Sequence, residues 1–296
     1  MAMRTKITGR TKLTGLLGRP VEHSISPLMH NEAFSSLGLD YAYLCFDIGE
    51  KELPAAVEAL KVLGARGWNC TWPDKNEMAL LCDHLSQAAE IIGAVNTVVN
   101  DSGVLTGHIT DGTGYMMAVK DAGYDISGKK MTILGTGGAA TAIIVQAALD
   151  GAAEVAVFCR KSSRFYQRTV EIVRRLNEET ACCVRLVASD GDYEEDRLKE
   201  EIATSYLLVN GTSVGMAPDT ERCLIHDPGV FHKDLVVSDI IYNPRRTALL
   251  KMAEKAGCPI FNGLYMLLYQ GAEAFTLWTG KKMPVEEIKE KYFSAV

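Results

Sequence analysis

Short apolar runs of strand length alternate with longer runs at helical spacing along most of the chain. Tyr41 to Phe46 and Gly67 to Cys70 have the length and apolar content of strands, and between them Leu53 to Leu63 repeats its apolar residues at helical intervals. A strand is predicted at Lys12 to Leu17. A helix is predicted after it, with Ser26 as cap and Pro27 in the first turn, where a missing N–H costs nothing. Val104 to His108 reads as a strand leading into Thr110-Asp111-Gly112-Thr113-Gly114 and a helix to about Ala122. The pattern then becomes more regular: strand at Met131 to Leu134, glycine turn, helix at Ala139 to Leu149, strand at Val155 to Phe158, helix at Phe165 to Leu176. Two more strands, Leu207 to Val209 and Leu235 to Ile241, are predicted with helix between. Beyond Gly263 come two helices, Met266 to Trp278 and Val285 to Ser294, separated by Thr279-Gly280. Alternation of this kind marks an α/β protein.

The 296 residues, 47% hydrophobic and 23% charged, suit two domains better than one core. The regular second half, 113–263, is predicted to be a Rossmann-like nucleotide-binding domain. Residues 1–112 with 264–296 would form an α/β substrate-binding domain, with a cleft between the two. A net charge of −6 without a long basic run argues against a nucleic-acid partner. The eight cysteines show no Cys-x-x-Cys spacing and read as reduced thiols in cytoplasm. The opening residues are basic, Thr-rich and free of acids until Glu22, a composition that transit peptides share. No apolar stretch follows, so a polar lead into the first strand is favoured, and no membrane insertion is expected.

The strongest local motif is Gly135-Thr136-Gly137-Gly138-Ala139-Ala140, which follows a strand, opens a helix and satisfies Gly-x-Gly-x-x-Ala. Such glycines let backbone turn tightly against a pyrophosphate, and the helix N-terminus offers free N–H groups and a positive dipole end. The end of the next strand distinguishes the dinucleotides: an acid there holds a ribose 2′-hydroxyl, a cation a 2′-phosphate. Here stand Cys159-Arg160-Lys161-Ser162-Ser163-Arg164, three cations and no acid. Arg160 has the planar fork that matches phosphate, with Lys161 or Arg164 adding charge, so NADP is favoured over NAD.

A nucleotide domain does not name a reaction. In the other half, His23-Ser24-Ile25-Ser26-Pro27 sets two hydroxyls before a helix, a candidate carboxylate cradle. Asn69-Cys70-Thr71-Trp72-Pro73-Asp74-Lys75 ends a strand with a proline stop and a lysine. Asn96-Thr97 and Thr110-Asp111 add polar side chains at further strand ends.

Taken in order, these segments resemble the shikimate and quinate dehydrogenase family over nearly the whole chain. Gly18 to Asn31 is similar to its two-serine substrate motif, Asn69 to Lys75 to its Asn-Val-Thr-x-Pro-x-Lys motif, and Ile109 to Gly114 to its Asn-Thr-Asp-Gly-x-Gly motif. Asn210 to Met216, Asp239 to Pro244 and Met266 to Ala272 are similar to its cofactor-side and closing motifs. The stretch from Phe158 to Tyr166 looks most like the branch that takes both shikimate and quinate.

The resemblance implies a reversible, nicotinamide-dependent interconversion of 3-dehydroshikimate and shikimate, with quinate as a second substrate, in a monomer or homodimer. It implies Lys75 and Asp111 as the catalytic residues. Oxidising an alcohol requires a proton acceptor at the hydroxyl, and Lys75 would serve while Asp111 orients that hydroxyl, or the two would act as one coupled unit. It further implies Ser24, Ser26, Thr71, Asn96, Tyr242 and Gln270 around the substrate. On the cofactor side it implies Gly135, Thr136, Gly137, Gly138, Ala139, Arg160, Lys161, Thr212, Gly215 and Met216, with Gly263 passing close to the nicotinamide. The chain departs from the family pattern at Ile109, Trp72, Asp74, Cys159 and Ser162. Ser162 stands where the dual-substrate branch often has Asp, which removes the expected partner for an NAD ribose. Alternation along an extended segment would turn Asp74 away from Lys75.

Two competing readings remain. Gly211-Thr-Ser213-Val-Gly215 fits the Gly-x-Ser-x-Gly motif of serine hydrolases, but a nucleophile elbow needs a helix directly after it and Pro218 arrives too early. A non-catalytic dinucleotide-binding regulator would keep the fold without turnover, and intact Lys75 and Asp111 count against it. The six histidines, without a His-x-x-x-His pair, give no metal site.

Overall fold

The computed structural model describes residues 7–293, so the first six residues of the basic lead and Ser294 of the last predicted helix lie outside the described residues. The chain divides into two compact units, Met1–Thr110 with Leu268–Val296, and Asp111–Leu267.

The first unit contains β1 (Lys12–Gly18), α1 (Ser26–Ser36), β2 (Tyr41–Asp47), α2 (Leu53–Val62), β3 (Gly67–Cys70), α3 (Lys75–Leu80), β4 (His84–Leu85), α4 (Gln87–Ile92), β5 (Thr97–Asp101) and β6 (Val104–His108). α5 (Thr110–Asp121) then leads the chain into the second unit. The first sheet has the order β2-β1-β3-β5-β6-β4. β1 pairs parallel with β2 and β3, whereas β5 runs antiparallel to β3 and β6. A tight hairpin makes that reversal: Asp101 faces Val104, and the two residues between them, Ser102 and Gly103, both have positive φ, 56° and 96°. Such a turn matches the twist of the flanking strands. The free edge of β2 is covered at Tyr43, whose amide and carbonyl both bond the Asn31 side chain, at 2.8 and 2.9 Å.

An aromatic cluster holds this unit's core. His30 of α1 stacks on Tyr43 at 4.5 Å, against Phe34, Phe275 and Trp278, with neither ring nitrogen hydrogen-bonded. Burial pushes its pKa down to about 3, so the ring is neutral in the folded chain. The unfolded chain binds this proton near pH 6.5, so stability is complete above that value and falls as pH drops towards 3. The expected result is that His30→Leu flattens this dependence: its stability relative to wild type should rise by about 1.4 kcal/mol per pH unit below ~6. Denaturant unfolding across that range measures it, and parallel pH profiles would reject it.

The second unit continues with β7 (Lys130–Leu134), α6 (Gly138–Leu149), β8 (Glu154–Arg160), α7 (Tyr166–Glu179), β9 (Cys183–Ser189), α8 (Glu195–Ala203), β10 (Leu207–Asn210), β11 (Val236–Asp239), α9 (Ala248–Lys255) and β12 (Ile260–Asn262). α10 (Leu264–Thr279) returns the chain to the first unit, and α11 (Val285–Ile288) runs on into a π turn at Lys289–Phe293. The sheet is wholly parallel with the order β12-β11-β10-β7-β8-β9. That is the doubly wound order of a Rossmann domain, in which the chain reverses direction across the sheet between β7 and β10. The fold class is therefore the α/β class the sequence predicts. Between β10 and β11, however, there is no predicted α-helix but a single 3-10 turn, Pro228–Val230, because Pro218, Pro228 and Gly229 interrupt any longer run.

Candidate active site

In the second unit a cavity of about 740 Å³ is lined by the turns that follow β7, β8, β10 and β11, on both sides of the strand-order reversal. This is the size and position expected of a ligand site in an open parallel sheet. The glycine turn fits a pyrophosphate. Gly135 has φ +99°, and a Cβ there would lie 2.5 Å from the Thr212 methyl, so only glycine keeps the turn and its neighbour in place. α6 starts behind Gly137 with no side chain capping its first amides, and Cβ atoms at Gly137 and Gly138 would meet nothing within 4 Å. Free N–H groups facing open space at a helix N-terminus are what a phosphate needs.

Thr136, Ala139, Arg160, Thr212, Met216 and Tyr242 also line this cavity. Lys161 does not; its ammonium pairs with Asp190 at 3.0 Å. Gly215 and Gly263 lie outside the lining as well. A Cβ on Gly263 would strike the Ile240 carbonyl, so that glycine is required by backbone packing. Sequence reasoning passed over Ser163, Phe165 and Tyr193, which line the same wall, and treated Arg164 only as added charge. Arg164 holds its guanidinium 4.7 Å over the Phe165 ring.

In the first unit a hydrogen-bonded network joins Asn69 of β3 to Asn96 and Thr97 at the start of β5 and to Thr110. The Tyr43 hydroxyl donates to Asn69 Oδ1 at 2.8 Å, and Asn69 Nδ2 donates to the Thr97 hydroxyl at 2.9 Å. Thr97 in turn donates to Asn96 Oδ1 at 3.0 Å, and Asn96 Oδ1 accepts the Thr110 amide at 2.8 Å. Asn96 thus caps α5 from another element and puts Asp111 in that helix's first turn. Thr71 packs against Gly18, and the Lys75 carbonyl, at the start of α3, accepts from the Val95 amide at 2.8 Å, next to Asn96. Gln270 lies on α10 beside Gly271, where a Cβ would collide with Met29 of α1.

The residues around β3 and α10 also carry a family signature. Residues 16–98 match the model described as "Shikimate dehydrogenase substrate binding domain" and residues 263–291 the one described as "Shikimate 5'-dehydrogenase C-terminal domain". A shikimate dehydrogenase (NADP(+)) of Listeria monocytogenes is 51% identical over 97% of this chain and 98% of its own. The chain belongs to the shikimate dehydrogenase family. A quinate/shikimate dehydrogenase of Escherichia coli is 42% identical over 96% of this chain and 97% of its own. A crystal structure of shikimate 5-dehydrogenase from Listeria monocytogenes, in complex with shikimate and NAD, superposes with a TM-score of 0.92 at 52% identity, covering 96% of this chain and 97% of that one. Like the family, the chain is a nicotinamide-dependent oxidoreductase acting on a secondary alcohol.

Two local expectations for this family member need correction. Ser26 does not cap α1: the helix begins at Ser26 itself, and the Ser24 hydroxyl accepts the Ser26 amide at 3.2 Å. Both serines stay at the helix start, but Ile25 holds the cap position and no side chain caps the helix. The segment before Lys75 is not extended. Asp74 has helical backbone angles, φ −81° and ψ −9°, so strand alternation does not apply to it. Its carboxyl is buried with neither oxygen hydrogen-bonded, and burial raises its pKa. The hydrolase motif lacks its helix: Gly211 to Gly215 is followed by turns as far as the 3-10 segment.

Proposed function

We infer that this enzyme interconverts shikimate and 3-dehydroshikimate reversibly, with NADP favoured and NAD as the other cofactor. The Listeria relative, similar over almost the full length of both chains, carries this reading. The glycine turn and the acid-free end of β8 support the cofactor side of it. On this reading residues 113–263 hold the dinucleotide, and residues 1–112 with 264–296 hold the ring acid. The nicotinamide, when bound, accepts or returns the hydride.

The protein's own residues handle the proton and the substrate. Lys75 takes the hydroxyl proton during oxidation and gives it back during reduction. Asp111 orients that hydroxyl, or the two act together as one catalytic unit. Ser24 and Ser26 receive the carboxylate at the start of α1, and Thr71, Asn96, Gln270 and Tyr242 bond or border the ring. Asn96 spends its carbonyl on α5 and β5, leaving its NH2 group as the donor for substrate. The eight free cysteines fit a reducing compartment, and no helix among the described residues is long and apolar enough to cross a membrane. We place the enzyme in the cytoplasm as a monomer or homodimer.

Quinate is the second reading, favoured by the Escherichia coli relative. Initial rates with each acid and each cofactor, followed by the absorbance of reduced nicotinamide, decide between them. Absence of reduced nicotinamide in all pairings would refute the enzyme reading.

A further inference from the structure

Two turns on the wall of the cofactor cavity are tied together by one buried carboxylate. Asp239, the last residue of β11, is fully buried. Its Oδ1 accepts from the Ile241 amide at 3.0 Å and its Oδ2 from the Thr247 hydroxyl at 2.7 Å. The Nδ2 of Asn210, which closes β10, lies 3.1 Å from both oxygens. Asn210 Oδ1 faces the other way and accepts from the Thr212 amide at 3.0 Å and the Thr212 hydroxyl at 2.8 Å. That hydroxyl oxygen in turn accepts from the Val214 amide at 3.0 Å.

The chemistry of these groups gives the chain of bonds a direction. A side-chain amide fits its pocket nearly as well flipped, so its orientation is set by its partners. An ionised carboxylate only accepts hydrogen bonds. With the Val214 carbonyl, which also accepts from Asn210 Nδ2 at 3.1 Å, it holds Asn210 with its NH2 towards these acceptors and its carbonyl left for Thr212. Without the carboxylate only the Val214 carbonyl opposes a flip that would turn the Asn210 NH2 on the Thr212 amide, set donor against donor and move the turn. Gly211, Thr212 and Ser213 line the cavity on one side of this relay, and Ile241 and Tyr242 line it on the other.

We propose that Asp239 is a positioning residue for dinucleotide binding, which sets the Thr212 turn through the orientation of Asn210 and the Tyr242 turn through the Ile241 amide. The proposal rests on the reading of this cavity as the dinucleotide site. It assigns a function to a residue that touches neither ligand.

The test is a cycle of Asp239→Asn, Asn210→Asp and the double variant, with thermal unfolding to show which are folded at the assay temperature. NADPH affinity is read by fluorescence titration, KM for NADP and for shikimate by steady-state rates, and the Thr212 and Val214 amides by hydrogen exchange. Asp239→Asn should raise the NADPH Kd and the NADP KM about tenfold, leave kcat within about twofold, and raise the shikimate KM less than the NADP KM, through the Tyr242 turn. Its Thr212 and Val214 amides should exchange faster. Asn210→Asp, which sets two carboxylates face to face, should lose at least as much. In the double variant an acceptor again faces Thr212 and a donor again faces an acceptor, so NADPH affinity should partly recover and exchange should slow. If Asp239→Asn does not fold, the comparison of Asn210→Asp with the double variant carries the test. Unchanged NADPH affinity in Asp239→Asn, or losses that simply add in the double variant, would overturn the proposal. A wild-type chain that bound no NADPH would overturn the cavity's assignment instead, and the positioning role with it.

Discussion

Alanine in place of Lys75 should lower kcat by roughly 10²- to 10⁴-fold, the range set by removing a positioned acid–base group. Protein stability should change little. Lys75 is the first residue of α3, its side chain is only partly buried, and its backbone carbonyl, which alanine retains, accepts from the Val95 amide. Alanine is also a good helix former. The loss should therefore fall on kcat more than on the shikimate KM, the signature of an interaction made mainly in the transition state. Asp111→Asn provides the complementary measurement. If the two residues act as one unit, the double variant should be little worse than Lys75→Ala alone. Near-normal turnover in Lys75→Ala would remove the lysine from the mechanism, and multiplicative losses would separate the two roles.

The elements legible in the sequence are those whose signal is local. Gly135 to Ala140 declares a strand-to-helix turn within six residues, and the alternation of β7, α6, β8 and α7 declares a parallel sheet. Four elements of the same domain went unpredicted, among them α8, nine residues long and mostly charged. β9 alternates exposed and buried positions at a sheet edge, and β12 is only three residues long. α9 is a helix of eight residues with little length over which to show a period.

The polar network of the other unit was harder to read, for a different reason. Asn69, Asn96, Thr97 and Thr110 stand out as polar residues at strand ends, but their joining depends on β5 entering antiparallel between β3 and β6. Only then does Thr97 lie between Asn69 and Asn96. Tyr43 gave no warning, because a tyrosine in a strand looks like ordinary core until its hydroxyl is seen on Asn69. Asp239 was visible as part of a motif, yet the turns it holds became visible only when β10 and β11 were seen side by side.

The cofactor preference turns on Arg160. Arg160→Ala should weaken NADP by roughly 10- to 100-fold, the value of losing a charge-assisted hydrogen bond of ~1.5–3 kcal/mol, and should change NAD far less. The reasoning is one of position. Arg160 is the last residue of β8, at the strand end where a dinucleotide presents its adenosine ribose, and it lines the cavity. Of the three cations at this strand end, Lys161 is drawn to Asp190 and Arg164 lies over Phe165. Arg160 is thus the cation best placed for a 2′-phosphate, and with no acid between Cys159 and Arg164, a 2′-hydroxyl finds no carboxylate there. Placing one back completes the test: Ser162→Asp should improve NAD and penalise NADP by like-charge repulsion. The ratio of kcat/KM for NADP to that for NAD should therefore fall in both variants, through loss of a phosphate contact in the first and through gain of a ribose contact in the second. Equal losses for both cofactors in Arg160→Ala would mean that Arg160 contacts a group the two share, and the preference for NADP would then have to come from elsewhere on the wall.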